Sequence, residues 1–467
     1  MNPQWLFTNG ILPLTQPDTC RGLGSGLRLQ RRIEANTLEQ NKKDQWAAVQ
    51  RMLQHAYETS EFYAERFRQA GVTPRDIRMP EDLTLLPVLT RDDIRNELER
   101  IRSRNFAIGD LSQAATGGTT DTPVPIFRDR QSVRTKLAAQ WLFNNWAGFH
   151  AGQKVLYLWG ARSDYAQQPS WRWTLYDRYV MHRRWLQTSL LNEEILESYR
   201  IELNRFRPHA IFAYPTPLQL LCEYLRDSQK PYFRPKTVIC TAEALLDTQR
   251  SLMEQVLGGK IFEHYGSREF GMIAAECECH TGLHLNPASA YIEFVPVQGA
   301  ADGLCDVVVT DLLNYGMPLV RYKVNDCAFR SPEQCECGRG FPLLGHIAGR
   351  STDIFRLPNG DTVPGVSLTN RVIRVCPEIK KIQIVQETPD GFRVRFVPGP
   401  NFTSAELERL EANLHTFLPD LVHFQFEEVA DIPREKSGKT RLCISRVRSD
   451  QTSSLAAVAG TDKMGRR

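Results

Sequence analysis

Residues 210–265 read AIFAYPTPLQLLCEYLRDSQKPYFRPKTVICTAEALLDTQRSLMEQVLGGKIFEHY, and their alternation decides the fold. AIFAY (210–214), TVICT (237–241) and KIFEHY (260–265) are short β-branched and aromatic runs of strand character. Between them, PLQLLCEYLRD (217–227) and TQRSLMEQVLG (248–258) carry apolar residues at helical spacing. Strand–helix–strand units in this order predict an α/β body with a largely parallel sheet covered by helices. Ligands of such sheets bind beyond the carboxyl ends of the strands, so the ends of these three runs are where chemistry is expected.

Working outward, strand-like KVLYLW (154–159) and helix-like NEEILESYRIELNRF (192–206) extend the pattern upstream. Further upstream, Trp46, Val49, Leu53, Ala56 and Tyr57 share one face of a helix ending near Gly71, and Thr90 with Asp93 forms a capping-box start for TRDDIRNELERI. Residues 1–38 carry Gly, Pro and Arg without clear periodicity and are expected to be irregular. Downstream, YIEFVPV and CDVVVTDLL (from about 290 to 330) predict a smaller β-rich unit. Beyond Gly349, helix-like TNRVIRV, strands KIQIVQE and FRVRFVP, helix AELERLEANLHTFL and strand LVHFQFEEV predict a small α+β domain.

The 467 residues exceed one simple core and imply two or three domains. A net charge of +4 with no polybasic run gives no reason to expect nucleic acid. The N-terminus lacks the basic and apolar regions of a signal peptide, and no run approaches the ~18 apolar residues of a membrane span. The expected location is the cytoplasm, where eleven cysteines read as metal ligands or free thiols rather than disulfides.

Four local motifs carry chemistry. Thr116-Gly117-Gly118-Thr119-Thr120 offers a tight turn with backbone N–H groups and hydroxyls aimed at one anion, suited to nucleotide phosphates, although it is not a Walker loop. Its ordinary reading is a Thr/Gly surface turn. Tyr265-Gly266-Ser267-Arg268-Glu269, after a strand, combines a ring able to stack on a purine with a carboxylate able to hold Mg²⁺; a charged helix start is the plainer reading. Asp326, in Arg321-Tyr322-Lys323-Val324-Asn325-Asp326, suits a ribose diol, against an exposed turn aspartate. Lys439, in Ser437-Gly438-Lys439, suits a developing phosphoryl charge, against a hairpin lysine.

The order of these motifs, with Gly349-Arg350-Ser351-Thr352-Asp353 before the last, resembles the adenylate-forming superfamily and in particular phenylacetate–CoA ligases and CapK-like proteins. Tyr214-Pro215-Thr216, Thr241-Ala242-Glu243, Gly282-Leu283-His284 and Cys337-Gly338-Arg339 are similar to further motifs of that family, and the resemblance covers roughly residues 40–448. It implies an AMP-binding domain over 39–349 and a mobile α+β lid over 350–449, and the Ser/Ala/Gly/Lys-rich composition of 450–467 predicts a disordered tail. It further implies that Thr116, Gly117, Gly118, Thr119 and Thr120 cradle ATP, Glu243 lies near the adenine pocket and Tyr265 stacks on adenine. By the same resemblance Glu269 holds Mg²⁺, Asp326 binds ribose, Arg350 sits at the domain junction and Lys439 contacts carboxylate and α-phosphate. Three positions depart from the family: Asp121 replaces a glycine, Arg268 a hydroxyl residue, and Thr352 the hinge acid, with Asp353 one further on.

Cys277, Cys279, His280 and His284 with Cys335 and Cys337 form two knuckles suited to a tetrahedral Cys₃His Zn²⁺ site. Zinc-bearing members of the resembled family imply Cys277, His284, Cys335 and Cys337 as the set, with Cys279 and His280 as substitutes. The function implied is ATP-dependent activation of an aromatic or small carboxylic acid to an acyl-adenylate, then transfer to coenzyme A. Transfer to an amine, or a non-catalytic zinc-stapled binding role, are the alternatives. The expected partner is a small-molecule acid, neither nucleic acid nor membrane, and a homodimer is the oligomer to test for. Trp141, Trp146, Trp159, Phe212 and Tyr214 offer aromatic walls for a planar acid, and core packing explains them equally well.

Overall fold

The computed structural model describes residues 3–115, 124–159, 171–188, 191–297, 303–331, 334–350, 354–359, 362–364, 372, 376, 378–415, 422–433 and 441–447. Two short strands, β1 (Leu111–Ala115) and β2 (Pro125–Asp129), pair antiparallel with Ala115 opposite Pro125. The next eleven strands are β3 (Val155–Trp159), β4 (Arg183–Gln187), β5 (Ala210–Ala213), β6 (Thr237–Thr241), β7 (Ile261–Ser267) and β8 (Gly271–Glu276), followed by β9 (Leu283–Leu285), β10 (Ala290–Pro296), β11 (Leu304–Asp311), β12 (Tyr322–Arg330) and β13 (Leu343–Arg350). They form one sheet ordered β10-β11-β12-β13-β9-β8-β7-β6-β5-β3-β4.

The α/β class expected from the 210–265 repeat holds, but the sheet is mixed. β4, β3, β5, β6 and β7 pair parallel, whereas every pair from β7 through β10 is antiparallel. The β-rich unit expected around 290–330 is therefore the continuation of the same sheet, because β9 bridges β8 to β13. β7 is the seam between the halves. β5 and β6 are buried at every position, as strands covered on both faces must be, which explains their continuous apolar runs.

Residues 3–35 depart from the expectation of an irregular segment. They are mostly helical, and the longest piece, Leu23–Ala35, lies against the helix Arg130–Trp146. The glycines that read as breakers serve that packing: a Cβ on Gly26 would lie 2.9 Å from the Cβ of Ala138, too close for any larger residue. Leu23, Leu27 and Gln30 face inward, and the Gln30 amide oxygen accepts a hydrogen bond from Asn286 at 2.8 Å. Upstream of the body, the expected long helix is two, Leu38–Thr59 and Glu61–Gln69, divided at Ser60, whose hydroxyl caps the second. Thr90 and Asp93 form a reciprocal capping box at the start of Arg91–Ile101.

Past the sheet, β14 (Ile354–Arg356) and β15 (Thr362–Pro364) form a hairpin, and β16 (Ile379–Gln386), β17 (Gly391–Pro398), β18 (His423–Glu428) and β19 (Cys443–Ser445) form a second sheet ordered β18-β17-β16-β19. The helix Ser404–His415 contributes Leu410 and Leu414 to a separate core with Phe355, Ile384, Phe392 and Phe396. Most of TNRVIRV lies outside the described residues, as does the tail from 448 onward. Among the described residues no helix is long and apolar enough to cross a membrane.

Candidate active site and metal centre

β7 and β8 form a hairpin with a bulge between Tyr265 and Gly266. Gly266 is obligatory there, because a Cβ would approach the carbonyl oxygen of Gly271 to 2.3 Å. The close approach fixes the direction of the Tyr265 side chain, whose hydroxyl donates to Asp326 Oδ2 at 2.8 Å. Asp326 sits on β12 opposite Arg350 of β13, immediately after Asn325, which holds a left-handed φ of 64°. Burial and the negative charges of Asp326 and Glu269 push the Tyr265 phenol well above its ordinary range, so it stays a donor. Two motifs read separately in the sequence are thus one hydrogen-bonded unit.

Glu269 lies in the turn between β7 and β8, only 5% exposed. Its backbone carbonyl accepts a hydrogen bond from Lys136 Nζ at 3.0 Å, and the same ammonium pairs with Asp311 Oδ2 at 2.6 Å. Asp311 is fully buried, and its second oxygen accepts N–H bonds from Leu313 and Asn314. Neither Lys136 nor Asp311 was singled out in the sequence. They stand 175 positions apart and belong to no motif, so only the fold reveals them. Asp129, at the end of β2, plays a related part. Its oxygens accept from the N–H groups of Ser132, Tyr315 and Gly316, tying the Thr/Gly-flanking hairpin to the segment before β12.

Glu243 follows β6 and the left-handed Ala242 (φ 71°), and its Oε2 accepts from the Thr216 N–H at 3.0 Å. That N–H lies in the first turn of the helix Pro215–Ser228, where a carboxylate is electrostatically favoured. Thr241-Ala242-Glu243 and Tyr214-Pro215-Thr216 therefore touch, and Tyr214 in turn packs against Trp159 at 4.4 Å. Of the aromatic residues proposed as walls, Trp141, Trp159 and Phe212 share one cluster, whereas Trp146 belongs to another beside the cysteines. Thr116, Gly117, Gly118, Thr119, Thr120, Asp121, Thr352, Asp353 and Lys439 lie outside the described residues. For Arg350 only the backbone is described.

The second centre forms where β9 lies between β8 and β13. Cys277 follows β8, His284 is central in β9, and Cys335 and Cys337 precede β13, whose Leu343 pairs with His284. The ligand atoms of Cys277, His284, Cys335 and Cys337 all lie within 4.8 Å of one another. Cys277 and Cys335 sulfurs are 3.5 Å apart, and Cys337 Sγ is 3.4 Å from His284 Nε2. Three thiols and one imidazole at this spacing suit a tetrahedral thiophilic ion. The substitutes fall outside the cluster: Cys279 is exposed, and His280 Nδ1 faces Glu276 at 3.2 Å. Cys305 is buried in β11, with its thiol directed at the Gly303 carbonyl. Around the cluster, Arg339 bonds Glu34 and Glu278 and covers the ring of Trp146 at 4.8 Å.

The fold is that of the adenylate-forming CoA ligases. The crystal structure of 2-hydroxyisobutyryl-CoA ligase in the postadenylation state matches with a TM-score of 0.71 over 92% of this chain and 94% of that chain, at 18% identity. In sequence the chain is similar to phenylacetate–CoA ligases and to CapK-like proteins. Residues 355–446 match the CapK C-terminal domain. A phenylacetate-coenzyme A ligase of Thermus thermophilus is 23% identical over 385 residues, 75% of this chain and 79% of that protein. One from Pseudomonas putida is 25% identical over 362 residues, 73% of this chain and 78% of that protein.

Proposed function

We propose that this protein is an AMP-forming acid–thiol ligase. A carboxylate oxygen attacks the α-phosphorus of ATP, the bond to pyrophosphate breaks, and an acyl-adenylate forms. The sulfur of coenzyme A then attacks the acyl carbonyl, the bond to AMP breaks, and a thioester results. The observation that carries this reading is the Tyr265–Asp326 hydrogen bond with Glu269 in the adjoining turn. The ring, the diol acceptor and the metal-binding carboxylate of this reading come from one hairpin, β7–β8, and from β12, which the hydrogen bond joins to it.

In this reading Tyr265 stacks on adenine, with Glu243 beside that pocket, and Asp326 accepts from the ribose hydroxyls. Thr116 to Thr120 cradle the phosphates, Arg350 marks the domain junction, and Lys439 neutralises charge at the carboxylate and α-phosphate. Attack of one anion on another is slow unless their charge is screened; Mg²⁺ at Glu269 would supply that screening. Lys136 keeps Glu269 in place by holding its carbonyl. Cys277, His284, Cys335 and Cys337 would hold Zn²⁺ as a closed, structural site, tying β8, β9 and the segment before β13 together. A cytoplasmic location and a small-molecule acid substrate follow from the same reading. The test is acid-dependent pyrophosphate release from ATP across a panel of aryl and short acids, followed by thioester detection with coenzyme A. Silence with every acid would refute it.

A further inference from the structure

Tyr265 and His264 are consecutive on β7, so their side chains leave opposite faces of the sheet. His264 lies at the carboxyl end of the parallel half, paired with Thr241 of β6. On its face, Phe212 stands 5.8 Å away at 77° and Phe143 6.1 Å away at 60°, both edge-to-face. Phe262, two residues earlier on that face, belongs to the same aromatic cluster as Phe212, Trp141 and Trp159. The imidazole is 1% exposed, and neither Nδ1 nor Nε2 has a hydrogen-bond partner. Buried polar atoms are rarely left so, because the cost of desolvation is not recovered. The phenyl rings of Phe212 and Phe143 have no polar atom to offer beyond a weak π-face.

We infer that His264 is a specificity-determining residue of the acyl subsite, selecting an aromatic carboxylic acid that carries a hydroxyl or amino substituent on its ring. The inference rests on the ligase reading above and adds the substrate class to it. The surrounding rings suit a planar aryl group, and the orphaned imidazole supplies the polar contact that a bare aryl acid cannot answer. Burial holds His264 down to about 3, so the ring is neutral at working pH, with one nitrogen a donor and the other an acceptor. Either a hydroxyl or an amino group satisfies it. A site built to hydrogen-bond a substituent rejects the analogue lacking it far more strongly than an apolar pocket rejects an added group.

The experiment measures kcat/KM in ATP–pyrophosphate exchange for benzoate, phenylacetate and their hydroxy and amino congeners. It uses the full chain and the His264→Phe and His264→Asn variants. At least one substituted acid is expected to exceed its parent by roughly tenfold or more in the wild type. His264→Phe should collapse that ratio towards one with KM for ATP within twofold, and His264→Asn should keep part of it. A wild type that prefers the unsubstituted parents, or the same ratio in wild type and His264→Phe, overturns the inference while leaving the ligase reading intact. Absence of exchange with every acid overturns the ligase reading, and the inference with it.

Discussion

The phenol of Tyr265 donates to Asp326 Oδ2 at 2.8 Å, joining residues 61 positions apart on strands that are not neighbours in the sheet. A charge-assisted bond of this kind contributes about 1.5–3 kcal/mol. Tyr265→Phe keeps the ring but removes the hydroxyl that donates to Asp326. The expected outcome is a rise in KM for ATP of roughly tenfold, with KM for the acid little changed. Steady-state kinetics with each substrate varied in turn checks it. Because the phenol is held well above its ordinary range, no loss of activity from its ionisation is expected below pH 10.

Lys136 and Asp311 form an ion pair with side-chain exposures of 9% and 0%. Removing one partner strands a buried charge, at a cost of about 3–5 kcal/mol. Lys136→Met should therefore lower the urea midpoint markedly, whereas Lys136→Met with Asp311→Leu should cost much less than the two single changes added together. The Glu269 turn loses its anchor in every case, so the Mg²⁺ concentration giving half-maximal activity should rise even in the stable double variant.

The cysteine cluster gives a compositional test. Protein purified without added metal should contain about one zinc per chain, the stoichiometry of one four-ligand site. Cys335→Ser or Cys277→Ser should lower that content sharply and reduce Tm, whereas Cys279→Ser and His280→Ala should not. Elemental analysis with thermal unfolding checks both. A zinc content near zero in the wild type would refute the metal assignment.

His264 makes stability depend on pH with a definite sign. Its folded pKa is pulled down to about 3 by burial, from 6.5 in the unfolded chain. Between those values the unfolded state holds a proton that the folded state does not, so stability rises with pH across the window and is lost on acidification from pH 6.5. The slope from this one group is about 1.4 kcal/mol per pH unit. Denaturation at pH 5 and pH 6.5 should show that difference in the wild type and a smaller one in His264→Phe.

Much of the body was legible because its signals are local. The boundaries of TVICT at 237–241 coincide with β6, and the Thr90–Asp93 box is formed as read. These depend on periodicity and on side chains three residues apart. The N-terminal helices were not legible, because Gly22, Gly24 and Gly26 look like breakers until Ala138 is set beside Gly26. The mixed character of the sheet was hidden as well. The three-residue β9 that bridges β8 to β13 is too short to leave a pattern. At the site, a family resemblance pointed to Tyr265, Glu269 and Asp326. The Lys136–Asp311 support beneath Glu269 had no motif, and His264 was overshadowed by the tyrosine beside it.

ATP–pyrophosphate exchange with a pooled acid library, read together with the mass of any acyl-AMP formed, tests the central claim most directly. The expected result is acid-dependent exchange and a single dominant acyl-AMP, reduced at least a hundredfold in Glu269→Gln, on the order of losing one preorganised electrostatic contact to the reacting phosphates. Full exchange activity in both Glu269→Gln and Asp326→Asn, or nucleotide binding with no exchange for any acid, would contradict it.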